Sequence, residues 1–153
     1  MDRRNPITKP GLLIIACLAL LLLTATQVAA QYVNEKITDV NDPNYWLDRG
    51  GLYATYGSYN AAIKAYEKAL ALDADNSKAF FNRGLSYAEL GDLNQALVDI
   101  NKAISIDPTQ GSYYYGRGRV LLLSSKKDRA LEDFNKAAEL GDLDAISYLQ
   151  AHK

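Results

Sequence analysis

The sequence predicts an all-α fold, a stack of helical hairpins. Three observations predict it. A 34-residue spacing runs without a gap through three copies, placing Trp46, Phe80 and Tyr114 in one column. The same spacing aligns Gly50, Gly84 and Gly118, then Ala62, Ala96 and Ala130, then Ala69, Ala103 and Ala137. Breaks fall 34 residues apart at Gly57-Ser58 and Gly91-Asp92, and within one residue of the same offset at Ser124-Ser125. Small residues at fixed offsets let two helices pack closely, and an aromatic in each copy fills the groove of the next.

The first element, residues 1–30, reads as a targeting segment. Arg3, Arg4 and Lys9 make a basic start, Leu12 to Leu23 is an almost unbroken apolar run, and Val28-Ala29-Ala30 places small residues where a signal peptidase cuts. This is the build of a secretory signal, with Gln31 the expected new N-terminus. The alternative is an uncleaved membrane anchor, since Gly11 to Ala30 is about long enough to span a bilayer. Ile14-Ile15-Ala16-Cys17 loosely resembles a lipoprotein box, but the apolar run continues past Cys17, which argues against lipidation. Cleavage after Ala30 would leave a chain without cysteine, indifferent to an oxidising compartment.

Residues 31–42 show no sustained helical period and read as a linker. Asp42-Pro43 then opens the first helix, an acidic cap followed by a proline where the N–H has no helical partner. Helices are expected near 43–56, 59–72, 77–90, 93–106, 111–123 and 127–140, in units 43–76, 77–110 and 111–142. The third turn lacks a glycine and is expected to be looser. Gly141-Asp142 ends one helix and starts another, at 143–153, where Leu143, Ile146 and Leu149 fall on one side as a cap for the open end of the stack.

Helices of this length are marginal alone in water, so burial against neighbours must stabilise them. The glycine column is expected at helix crossings. The columns Tyr66, Ile100, Phe134 and Tyr53, Tyr87, Leu121 fill the space that remains.

The period and these columns resemble the tetratricopeptide repeat (TPR) over residues 43–142, and AAELGDLDA at the end resembles a Sel1-like repeat. Leu121 and Ser125 stand where the family favours Tyr and Gly. The resemblance implies a right-handed α-solenoid of three hairpins that binds other proteins. It also implies that the first helix of each hairpin lines the concave side. The columns there are Leu47, Phe81, Tyr115; Gly51, Leu85, Arg119; and Ala54, Ala88, Leu122. The expected peptide-binding groove is Leu47, Phe81, Asn82, Leu85, Tyr115, Arg119 and Leu122. Family members that clamp a C-terminal carboxylate use two Lys, two Asn and an Arg. Only Asn82 matches, with Leu47, Gly51, Ser112 and Gly116 at the other places, so such a clamp is not expected.

Charge and chemistry narrow the function further. Loss of Arg3, Arg4, Lys9 and Asp2 with the signal leaves fourteen basic against seventeen acidic residues, a net of −3. That balance, with basic residues scattered along the helices, disfavours nucleic acid as partner. Arg49, Arg83 and Arg117 recur in one column, and Asp99 and Asp133 lie 16 residues after the last two. Structural ion pairs explain them better than a ladder for an acidic ligand. No catalytic residue, metal site or cofactor is expected: His152 is the only histidine, and Gly116-Arg117-Gly118 falls inside a helix. The reading is an exported, periplasmic, non-catalytic adaptor for a protein or peptide segment. Membrane contact would come only through an uncleaved signal. The alternatives are a self-associating scaffold unit, using Tyr45, Tyr56, Tyr59, Tyr113 and Tyr114, and a non-catalytic subunit of an envelope enzyme.

Overall fold

The computed structural model describes residues 40–152, with Gln27 alone before them. The targeting segment and most of the expected linker lie outside the described residues. Residues 40–152 fall within one compact unit. Among the described residues there are seven helices: α1 Pro43–Thr55, α2 Tyr59–Leu72, α3 Ser77–Glu89, α4 Leu93–Ile106, α5 Gly111–Leu123, α6 Lys127–Glu139 and α7 Leu143–Ala151. The six hairpin helices start and end within one residue of the expected positions. No described helix is long and apolar enough to cross a membrane.

Capping side chains set the helix starts. Asp42 accepts from the Asn44 N–H at 2.9 Å, Asn76 from Ala79 at 2.9 Å, and Asp92 from Gln95 at 3.1 Å. Asp142 does the same for α7, accepting from Ala145 at 2.9 Å. Each bond satisfies an N–H that the first helical turn leaves unpaired. The turns end in left-handed residues: Gly57, Gly91 and Gly141 at φ 71°, 85° and 85°. The third hairpin's turn is not looser than the others. Ser125 adopts the same conformation at φ 59°, and Lys126 N–H still reaches Leu121 O at 2.9 Å, as Ser58 reaches Tyr53 at 2.8 Å. The missing glycine costs strain, about 1 kcal/mol, and does not open the turn.

Each helix packs on the next in the chain, and α1 also touches α3, as α3 touches α5. The first helices of the hairpins thus form a close row, which puts them on the inner side of the bend. The core runs between the two rows. Ala62, Ala69, Ala96, Ala103, Ala130 and Ala137 are all fully buried, alternating with Tyr66, Ile100 and Phe134. The glycine column lies opposite: a Cβ at Gly84 would sit 2.9 Å from Ile100 Cγ1 and 3.1 Å from Ala96 O, and one at Gly118 would sit 2.6 Å from Phe134 Cε1. At Gly50 the Tyr66 ring occupies that space, and burial pushes the Tyr66 phenol up to about 12.

α7 covers the end of the stack, with Tyr148 and Leu149 against Leu121, Ala130 and Phe134. Its packed face differs from the expected one. Ala145 is fully buried, whereas Leu143 is 75% exposed. A side chain at the first helical position leans back past the start of its helix, where nothing is packed.

Candidate peptide groove and the arginine ladder

The expected groove residues fall on α1, α3 and α5, but they are not alike. Tyr115, Arg119 and Leu122 recur at helical spacing on α5 and line a depression of about 340 Å³ with Leu123, Phe134 and Tyr148. Arg119 is exposed, and Tyr115 and Leu122 are half-buried. The Tyr115 ring lies 5.5 Å from Phe134, which lies 4.4 Å from Tyr148, which stacks on His152 at 4.2 Å. Three of these six lining residues were readable as groove. Phe134 reads as core from its column, and Tyr148, although 34 residues after Tyr114, is displaced from the aromatic column because α7 is capped at Asp142, two residues ahead of the place that Asp42, Asn76 and Gln110 set.

Phe81 and Leu85 on α3 are half-buried and pack against Ala96, Ile100 and Val120. Phe81 reaches across to the next hairpin, with its ring 4.6 Å from Tyr113. A Cβ at Gly116 would meet Phe81 Cε2 at 2.6 Å. No longer side chain fits at 116, so a clamp arginine has no room there. Asn82 and Leu47 are half-buried. Beside Leu47, a Cβ at Gly51 would have nothing within 4 Å, which leaves the first hairpin's end of the groove open.

Tyr113, expected in a lateral contact, is a core residue. It is only 4% exposed, lies under Phe81, and its hydroxyl pairs with Ser77 Oγ at 3.1 Å. Three tyrosines in succession carry no periodicity that would separate the buried one. Tyr56, by contrast, is 76% exposed.

The arginine column is mostly structural. Arg83 donates from Nε and Nη2 to Asp99 at 2.7 and 2.9 Å, and Arg117 donates likewise to Asp133 at 2.8 and 2.7 Å. Paired N–H donors from a guanidinium to one carboxylate are among the strongest side-chain contacts. Each pair bridges the two helices of its own hairpin, and each carboxylate raises the pKa of its arginine. Arg117 also donates to Asn101 of the preceding hairpin at 2.7 Å; a pair with Asp99 does not form. Among the described residues no group of three His, Cys, Asp or Glu side chains is placed to hold a metal ion.

Helical hairpins stacked at a 34-residue period, with an inner row of apolar first helices, define an interaction solenoid. A family profile described as TPR repeat matches residues 50–91, and one described as Tetratricopeptide repeat matches residues 77–110. Residues 50–110, which these two profiles cover, are tetratricopeptide repeats. No curated protein sequence matches it at a significant level. Among solved structures it is similar to MamA (27% identity, TM-score 0.63), over 71% of this chain and 64% of MamA, so it spans less than two thirds of that protein. It is also similar to the first TPR domain of Spaghetti (RPAP3) bound to the HSP90 peptide SRMEEVD. That match has 25% identity and a TM-score of 0.67, over 72% of this chain and 89% of the domain. The Arabidopsis OM64 TPR domain (24% identity, TM-score 0.66, covering 75% and 99%) shares the fold.

Proposed function

We propose that this protein is an exported, non-catalytic adaptor that binds a segment of an envelope protein along the inner row of first helices. The observation that carries the reading is the apolar and aromatic surface of Tyr115 and Leu122 beside the exposed Arg119, set in a repeat fold whose curvature faces it inward. Aromatic groups and arginine are the favoured anchors of protein interfaces. The peptide bound by the similar Spaghetti domain supports the same mode of use. The ligand here differs in kind, because the clamp positions hold Leu47, Gly51, Ser112 and Gly116. An apolar segment fits this groove better than a terminal carboxylate.

The test is a double variant, Tyr115→Ala with Arg119→Ala. Arg119 is exposed and Tyr115 is only half-buried at the edge of the core, so helical content by circular dichroism should be retained. Capture of partners from envelope extract should fall by roughly tenfold or more, since truncating an interface anchor costs about 2 kcal/mol. Unchanged capture would move the site elsewhere. Export is tested separately: protein recovered from an exporting host should begin at Gln31 by N-terminal sequencing. An intact Met1 on membrane-bound material would favour the anchor.

A further inference from the structure

The arginine ladder has one position that differs from the others. Arg83 and Arg117 each have two sources of partners: a carboxylate 16 residues on, and a residue on the second helix of the preceding hairpin. For Arg117 these are Asp133 and Asn101. For Arg83 they are Asp99 and, through its charge, Glu67. Arg49 lacks both. Ala65 stands where Asp99 and Asp133 stand, and no earlier hairpin precedes α1 in the repeat. Among the described residues no carboxylate pairs with Arg49. Its guanidinium is exposed and, among the described residues, donates to the hydroxyls of Tyr45 and Tyr53, at 3.3 and 3.4 Å. Those are long bonds beside the 2.7 Å charge-assisted ones of its two counterparts.

The place of the missing carboxylate is open. A depression of about 190 Å³ is lined by Trp46, Tyr53, Ala61, Lys64, Ala65 and Lys68. The rearrangement around it follows from the missing charge. Arg83 and Arg117 lie over the column aromatics Phe80 and Tyr114, at 5.5 Å in each case. Arg49 instead lies beside Tyr45 and Tyr53, and Lys68 takes the face of Trp46, with Nζ 3.9 Å from the ring centroid. Lys64 and Lys68 thus line an aromatic hollow, and Arg49 borders it through Tyr53, one of its walls; Ala65 leaves it open where, one repeat further on, Asp99 supplies a carboxylate. Positions 47 and 51 are two residues away from Arg49, roughly 200° around the helix. The hollow is therefore separate from the groove.

We propose that Arg49, Lys64 and Lys68 around Trp46 form a second binding site, which takes a Glu or Asp carboxylate from an acidic segment of a partner protein. The incoming carboxylate replaces the two tyrosine hydroxyls on Arg49 and makes in trans the contact that Asp99 and Asp133 make in cis. The inference stands independently of the groove.

Trp46 is the chain's only tryptophan, so its emission reports on this site alone. The full chain is titrated with a capped Glu-Ser repeat octapeptide and with its Gln-Ser counterpart, with calorimetry in parallel. A saturable change in Trp46 emission is expected for the acidic peptide only, weakening as salt is raised. Ala65→Asp, which supplies the carboxylate in cis, should weaken binding by roughly tenfold or more, and so should Arg49→Gln. Arg49 is exposed, so the second variant keeps the fold whatever the first does. Tyr115→Ala with Arg119→Ala should leave this binding unchanged. Three results would overturn the proposal: no saturable response at millimolar peptide, equal affinity in parent and both variants, or binding lost only in the groove variant. A Trp46 change that follows protein concentration without peptide would also overturn it, assigning the site to a second copy of the chain.

Discussion

Replacing Gly84 by leucine is expected to lower stability by about 3 kcal/mol or more, the upper end of what overpacking costs. For a domain of this size that is a fall of roughly 12 °C or more in melting temperature. The neighbours explain the severity. A Cβ at this position would stand 2.9 Å from Ile100 Cγ1, 3.1 Å from the Ala96 carbonyl and 3.2 Å from Asp99 Cβ. Ile100 is fully buried and cannot swing aside, and the carbonyl belongs to α4 itself. Accommodation requires the two helices of the hairpin to separate, which would expose Ala96 and Ile100 and misplace Asp99. Gly51 is the internal control. It is a helical glycine two turns from Gly57, with nothing within 4 Å of a built Cβ. Gly51→Ala should therefore stabilise by up to about 1 kcal/mol through helix propensity. Thermal melts followed at the helical circular dichroism band compare the two. Equal melting temperatures for Gly84→Leu and the parent would mean that the column does not mark the crossings.

The same column shows why so much of this fold was legible. A contact between helix neighbours recurs three times, so a small residue required by geometry appears as a period. Gly50, Gly84 and Gly118 could be assigned to crossings without any structure, and the Asp partners of Arg83 and Arg117 could be found by counting. What the period does not encode is depth. Phe81 and Tyr115 share a column, yet Phe81 is pressed between hairpins over Gly116, while Tyr115 opens onto the depression with Arg119. The difference arises because, among the described residues, α5 is followed by α6 and α7, which leave Tyr115 half-buried. Residues on α7 were the least readable, because that helix starts two residues ahead of the repeat. Tyr148 completes the depression, and Leu143 points away from it, for reasons set by where α7 begins. Tyr113 was misread because its neighbours on α3 of the preceding hairpin, Phe81 and Ser77, are 32 and 36 residues distant in sequence, off the period.

The second large effect is expected from Arg83. Asp99 is 2% exposed, and its two oxygens accept from Arg83 alone among side chains. Arg83→Met keeps much of the aliphatic packing over Phe80 but leaves a carboxylate buried without a cation. Breaking a buried pair in this way typically costs about 3–5 kcal/mol. Arg49→Met, which removes an exposed arginine with no carboxylate partner, should change stability by only about 0.5 kcal/mol or less. Adding Asp99→Leu to Arg83→Met should recover most of the loss, because the penalty belongs to the stranded charge and not to the absent attraction. Urea titrations of these variants and the double variant at neutral pH separate the terms. If Arg83→Met loses no more than Arg49→Met at pH 7, the paired rungs of the ladder contribute nothing to the fold. The vacancy opposite Arg49 would then need a different explanation.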